Sequence, residues 1–151
     1  MALISYRLRK ANDGDRDRIA EIWHSSASLP DVGPPVMPSY DDLRACVDDE
    51  LIAGCEVTVA EGADGLVGFV AIKPEARYLA ELFVCPHHLR SGIGKALLDD
   101  AKRSMAAGFT LFTTSANARA RRFYEREGLV LDHEGPHPRC GHPVSYYRWD
   151  G

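Results

Sequence analysis

The sequence predicts a mixed α/β (α+β) domain: one central sheet of about seven strands, mixed but mostly antiparallel, flanked by about four helices. Three observations carry that expectation. Residues 78–107 pass from an apolar strand through a turn with two glycines into a helix. Residues 56–61 and 66–73 are strand-like runs around Gly62-Ala63-Asp64-Gly65, a hairpin turn. The remaining segments switch between a period of two and helical spacing, with no internal repeat. The 151 residues fit one domain, 1–151, long enough to bury a real core.

In chain order, residues 3–10 alternate as a first strand. Asn12-Asp13-Gly14-Asp15 is a turn and cap signal, and Ile19, Ala20, Ile22 and Trp23 give the next helix an apolar face that ends near Ser28. Gly33, Pro34, Pro35 and Pro38 make residues 31–38 a conformationally restricted loop. Ser39 caps a second helix, with Asp41 and Asp42 in its first turn, Leu43, Cys46 and Val47 facing inward, and Gly54 at its close. After the hairpin, Pro74-Glu75 turns the chain into the central strand, 78–85. That strand is apolar on both alternating faces apart from Glu81, the pattern of a strand buried between layers. Pro86 has no N–H and stops it. Ala96, Leu97, Leu98, Ala101 and Met105 then recur at helical spacing. Residues 109–114 form a strand, and 117–128 a helix with Asn at its start and Gly at its end. Late strands at 129–133 and 144–149 enclose a loop rich in His, Pro and Gly.

The turn Ser91-Gly92-Ile93-Gly94 has the makings of an anion site. The first amides of a helix lack internal partners and sit at the positive end of its dipole, equivalent to roughly half a charge. Glycines at 92 and 94 let a phosphate approach the backbone without meeting a Cβ, and Arg90 and Lys95 add charge at the rim. A dinucleotide fingerprint would need a third small residue where Leu97 stands, and a phosphate loop ending in Gly-Lys-Ser/Thr is absent because Ala96 follows Lys95.

The strand and helix downstream of the turn point elsewhere. Leu89-Arg90-Ser91-Gly92-Ile93-Gly94 lies between a strand and a helix, and Asn117 is followed seven residues on by Tyr124 within SANARARRFYEREGLV. In this the chain resembles the GNAT superfamily of N-acetyltransferases, which carries Q/R-x-x-G-x-G/A in that place and then a strand, Asn and Tyr. The resemblance runs from residue 3 to 149, with one departure, Leu89 in place of Gln or Arg.

The resemblance implies an acetyl-CoA-dependent enzyme that uses acetyl-CoA as co-substrate and transfers its acetyl group to a primary amine by direct attack in a ternary complex. It assigns the CoA pyrophosphate to the amides of Leu89, Arg90, Ser91, Gly92, Ile93 and Gly94, with Lys95 beside them. The pantetheine arm falls to the main chain of Leu82, Phe83 and Val84, much like an added strand. Tyr124 becomes the acid for the departing thiolate, its phenol having an ordinary pKa near 10; the alternative is a tyrosine packed beside Phe123. Asn117 bonds the cofactor, caps its helix, or both. Glu81 is the candidate general base, a lone carboxylate in an apolar strand; a buried ion pair is the other reading. Contacts to the acceptor are expected from Trp23, His24, Leu29, Tyr40, Tyr146 and Tyr147, each of which also suits a core.

Composition excludes other classes. A net charge of −4 argues against a nucleic-acid binder. No run of 18 apolar residues is present and residues 1–10 lack a signal-peptide pattern, so neither a membrane nor secretion is expected. Cys46, Cys55, Cys85 and Cys140 have no C-x-x-C spacing and read as free thiols of a cytoplasmic protein. His133, His137, Cys140 and His142 lack a standard ligand pairing, so no metal is expected, and their loop is either a substrate-facing lid or a plain loop. Arg119, Arg121, Arg122 and Arg126 either steer the CoA 3′-phosphate or form a solvated face. The acidic run from Asp41-Asp42 to Asp48-Asp49-Glu50 either attracts a cationic amine or is the solvated side of a helix. A homodimer is compatible with so small an enzyme, though no stretch specifies an interface. The rival from another class is a non-catalytic acyl-CoA-binding regulatory module of the same fold.

Overall fold

The computed structural model describes residues 5–151, so Leu3 and Ile4 of the predicted first strand lie outside the described residues. The elements are β1 (Tyr6–Lys10), α1 (Arg16–Ala27), α2 (Tyr40–Cys46), β2 (Glu56–Gly62), β3 (Gly65–Lys73), β4 (Tyr78–Val84), α3 (Ile93–Ser104), β5 (Phe109–Thr114), α4 (Ala118–Arg126), β6 (Val130–Pro136) and β7 (Pro143–Trp149). They form the predicted mixed sheet, seven strands in the order β1-β2-β3-β4-β5-β7-β6. Every neighbouring pair is antiparallel except β4–β5, which is parallel and joined through α3.

Two apolar layers result from the period of two. On β3, Val70 and Ile72 face α3, packing with Ile93, Leu97, Leu98 and Ala101, while Phe69 and Ala71 face α1 and pack with Ile19, Ala20 and Ile22. The helix starts are built as read. Asn12 and Asp15 form a capping box ahead of α1, and Asp15 also holds Arg9 at 2.7 Å. Ser39 and Asp42 form another at α2. Asn117 accepts the Ala120 amide at 3.1 Å, and Gly128 ends α4 with φ of 93°.

Three features depart from expectation. The second helix does not run evenly to Gly54 but widens into a π-helical stretch, Val47–Ile52, which periodicity alone does not reveal. The late strands are longer than predicted, so His133 belongs to β6 and the connecting loop shrinks to 137–142. Most consequentially, β4 is not buried between layers. Apart from Leu79 its residues are only half-buried, because β4 and β5 pair at a single position, Tyr78 with Thr110. A β-bulge explains the parting. Ala71 pairs with Glu81 and Ile72 with Leu79, which leaves Ala80 unpaired and bends β4 just where the strands separate. No described helix is long and apolar enough to cross a membrane.

Gly68 on β3 seats α3. A Cβ there would stand 3.0 Å from the Phe83 carbonyl oxygen, 3.1 Å from Leu97 Cδ1 and 3.3 Å from Ile93 Cγ2. Gly68→Val is therefore expected to destabilise the fold by about 1–3 kcal/mol, seen as a lower urea midpoint at unchanged slope. An unchanged midpoint would show that α3 does not depend on that close approach.

Candidate active site

The parted strands enclose a cleft of about 1020 Å³. Its floor is β4 and β5, and its walls come from the loop after α1, the turn before α3, α4 and the hairpin tip at 137–142. Between Leu79 and Val84 the edge of β4 that faces β5 has no ladder partner, so its main-chain groups are open to an extended ligand. Leu82, Phe83 and Val84 all line the cleft.

At one end of β4 the chain passes into the glycine turn. The Cys85 amide bonds the Val67 carbonyl at 2.7 Å, the His88 amide bonds the Cys85 carbonyl at 2.8 Å, and the Ser91 hydroxyl donates to the His88 carbonyl. Arg90 has φ of 65° and Gly92 φ of 87°. The left-handed region costs an ordinary residue about 1–2 kcal/mol, so Arg90 is held there by the turn, whereas Gly92 adopts it freely. Gly92 is the N-cap of α3 and brings no side-chain cap, so the opening amides of that helix remain for a ligand. A Cβ on Gly94 would meet nothing closer than 3.7 Å, Phe123 and Val84, but it would project into the cleft wall. Leu89, Arg90, Gly92, Gly94 and Lys95 line the cleft; Ile93 is fully buried in the core beneath α3, and neither it nor Ser91 reaches the wall with its side chain. Lys95 is not a free rim cation, since its ammonium lies 3.1 Å from both Asp99 and Glu127. Arg90, Arg119 and Arg122 are on the wall, all three exposed, and make no ion pair among the described residues.

Glu81 and Tyr124 approach the cleft from β4 and α4. Glu81 has no hydrogen bond or ion pair among the described residues; the expected alternative of a buried pair is absent there. It is enclosed by protein on its flanks and reached through the cleft. That burial pushes its carboxyl up to about 8, with Glu50 adding to the rise and Arg139 opposing it. Tyr124 is almost fully buried and its phenol is raised above its ordinary value, first by burial and then by the Glu81 carboxylate. It stays protonated at any working pH and also lacks a hydrogen-bond partner among the described residues. Asn117 both caps α4 and lines the cleft.

Of the residues expected to meet an acceptor, Trp23 and Leu29 line the cleft. His24, half-buried in the last turn of α1, does not. Tyr40 packs on the α1 side of the sheet and reaches the Asp17 carbonyl at 3.4 Å. Tyr146 stacks on His133 at 4.3 Å outside the cleft, and Tyr147 is fully buried, donating to Glu125 and accepting from Arg121. Reasoning on sequence misses Arg139 and does not single out Glu50 from its acidic run or His142 from the His-rich loop; all three line the cleft, from the π-helical stretch and the hairpin tip. Glu50 is hidden within an acidic run and Arg139 within a loop of His and Pro; only tertiary contact brings them together, 3.1 Å apart. Among the described residues no group of three or more His, Cys, Asp or Glu is placed to hold a metal ion.

The likeness to known proteins agrees with this architecture. The family described as the acetyltransferase (GNAT) domain matches residues 53–129, from the end of the second helix through α4. The peptidyl-lysine N-acetyltransferase YiaC of Escherichia coli K12 is 32% identical over 126 residues, 82% of this chain and 83% of that protein. A GCN5-related N-acetyltransferase from Rhodopseudomonas palustris superposes with a TM-score of 0.79 at 18% identity, covering 100% of this chain and 99% of the other. YncA of Salmonella typhimurium, solved with its cofactor acetyl-CoA, gives 0.69 at 19% identity over 96% of this chain and 93% of its own. The chain belongs to the GNAT acetyltransferase family and is an acyltransferase.

Proposed function

We propose that this enzyme transfers the acetyl group of acetyl-CoA to a primary amine by direct attack within a ternary complex, a lysine side chain being the first acceptor to try. The observation that carries the reading is the placement on the cleft, where β4 leaves β5, of a carboxyl, Glu81, and a phenol, Tyr124, that have no partner among the described residues. The acceptor class is suggested by the name of the Escherichia coli relative.

The residues present fit acetyl-CoA. The free edge of β4 suits an amide-bearing arm, the uncapped start of α3 suits a pyrophosphate, and Arg90, Arg119 and Arg122 on the wall suit a further phosphate. When bound, acetyl-CoA supplies an activated thioester. The chain does the rest. An amine of pKa near 10.4 is neutral only about once in 2,500 at pH 7, a deficit of roughly 4.6 kcal/mol. Glu81, with its pKa of about 8, is matched to take the ammonium proton near neutral pH. As the nitrogen bonds to the acyl carbon and the carbon–sulfur bond breaks, Tyr124 donates its hydroxyl hydrogen toward the leaving sulfur and regains a proton from the nitrogen, which sheds one as it becomes an amide. Its phenol, held neutral, contributes no competing charge. No cysteine need be acylated. The four cysteines are free thiols, as the proposed cytoplasmic setting would keep them. A homodimer is proposed on grounds of size alone.

Three outcomes test this. Tyr124→Phe should lower kcat about 10²-fold while acetyl-CoA affinity by calorimetry stays within twofold; unchanged kcat would remove Tyr124 from the chemistry. Glu81→Gln should lower kcat/KM for a lysine peptide about 10²–10³-fold, and the wild-type rate should climb with pH and level off above about 8. The same carboxyl governs stability. Between its ordinary 4.5 and about 8, the folded protein keeps a proton that the unfolded chain has released, so stability falls as pH rises through that window. Glu81→Gln should therefore melt several degrees above wild type at pH 9 and level with it at pH 4. Equal melting at both values would mean that Glu81 is not held protonated by its surroundings.

A further inference from the structure

Glu50 and Arg139 lie on the cleft wall with Glu81, at the end away from the glycine turn, and the acyl-transfer steps proposed above leave both unused. Arg139 Nη1 stands 3.1 Å from Glu50 Oε1, so the pair joins the hairpin tip to the π-helical stretch, 89 residues away in sequence. The two side chains are 74% and 44% exposed, and an ion pair so accessible adds little stability and exchanges readily for another cation. The neighbouring acid behaves differently. Asp48 is held by both Arg16 at 2.9 Å and Arg44 at 2.7 Å and belongs to the packing of α1 on α2. Among the described residues the Glu50 carboxylate has a single, accessible partner, and it sits in a π-helical stretch, a distortion common at functional sites. The remaining cation on this part of the wall, Lys73, lies near Cys55. Glu81 has no partner among the described residues and feels both members of the pair.

We propose that Glu50 is the carboxylate that recognises the acceptor, and that Arg139 occupies it until an ammonium group on a flexible alkyl chain, that of a lysine side chain, displaces the guanidinium. The inference rests on the acyl-transfer reading above and adds to it the residue that selects the acceptor. One cation replaces another at Glu50, so its charge is never left uncompensated. The displaced Arg139 opens the bridge across the cleft mouth. The incoming ammonium then lies on the same wall as Glu81, which takes its proton. A neutral or anionic acceptor has no means of displacing Arg139, and the closed bridge works against it.

The test uses lysine with both backbone ends capped, Nα-acetyl-lysine methylamide. Its Kd is measured by calorimetry on enzyme saturated with unacetylated CoA, and its KM in turnover with acetyl-CoA. Glu50→Gln should weaken Kd and raise KM about 10-fold with CoA affinity and melting temperature unchanged. Arg139→Gln should tighten Kd several-fold, and that gain should vanish in the double variant. The proposal is overturned if Glu50→Gln binds the capped lysine as wild type does, or if Arg139→Gln weakens binding, which would make Arg139 itself the reader of an anionic group. Wild type that acetylates other amines but not capped lysine overturns this inference and leaves acyl transfer standing. Wild type that binds CoA and acetylates no amine in a broad panel overturns both.

Discussion

The structure depends on one missing ladder. β4 and β5 begin as parallel neighbours at Tyr78 and Thr110 and then separate, although each stays paired on its other edge, β4 with β3 and β5 with β7. An unpaired edge inside a protein is costly unless something satisfies its amides and carbonyls. The bulge at Ala80 keeps the strands apart and the α3 crossover brings the glycine turn to the far end of the opening. Main-chain donors and acceptors are thus held ready along one wall, continuous with the open amides of a helix start. Such a wall suits a ligand that is part peptide-like arm and part phosphate.

The same opening sets the electrostatics. A carboxylate in the middle of a complete sheet would need a buried partner, whereas one at the lip of a cleft is reached by solvent or substrate. Glu81 stands between these cases, enclosed enough to hold its proton up to about pH 8 and open enough to exchange it. The bulge contributes to its orientation. Leu79 and Leu82 are three residues apart yet pack on the same layer, so the alternation slips by one between them. The slip carries Glu81 round with Ala80 toward the side of the sheet where Glu50 and Arg139 lie. Tyr124 faces the same space from α4, anchored among Phe123 and Tyr147.

Much of this is legible in the sequence because it rests on local rules. Strand and helix periodicity places every element of the described sheet, and the caps at Asn12, Ser39 and Asn117 are short-range chemistry. Glu81 stands out as one charge among apolar residues, and the glycine turn as a pair of small residues before a helix. What escapes is set at a distance. An apolar pattern on both faces of β4 describes a buried strand and a cleft floor equally well, since a ligand and a protein layer demand the same side chains. The π-helical widening carries no residue signature, so sequence alone does not separate Glu50 from Asp48 and Asp49. Tyr40 and Tyr146 read as candidates because the resemblance assigns acceptor contacts to the second helix and the last strands, but their hydroxyls and rings are taken up by local partners.

Amide hydrogen exchange, recorded with and without saturating acetyl-CoA, tests the central claim most directly. If the open edge of β4 and the start of α3 receive the ligand, the amides of residues 81–84 and 92–95 should slow markedly on binding, while those of β1 and β2 at the far side of the sheet stay unchanged. Binding that leaves β4 exchanging at its free rate would contradict the account, because the parting of β4 from β5 would then serve some purpose other than holding the acyl donor.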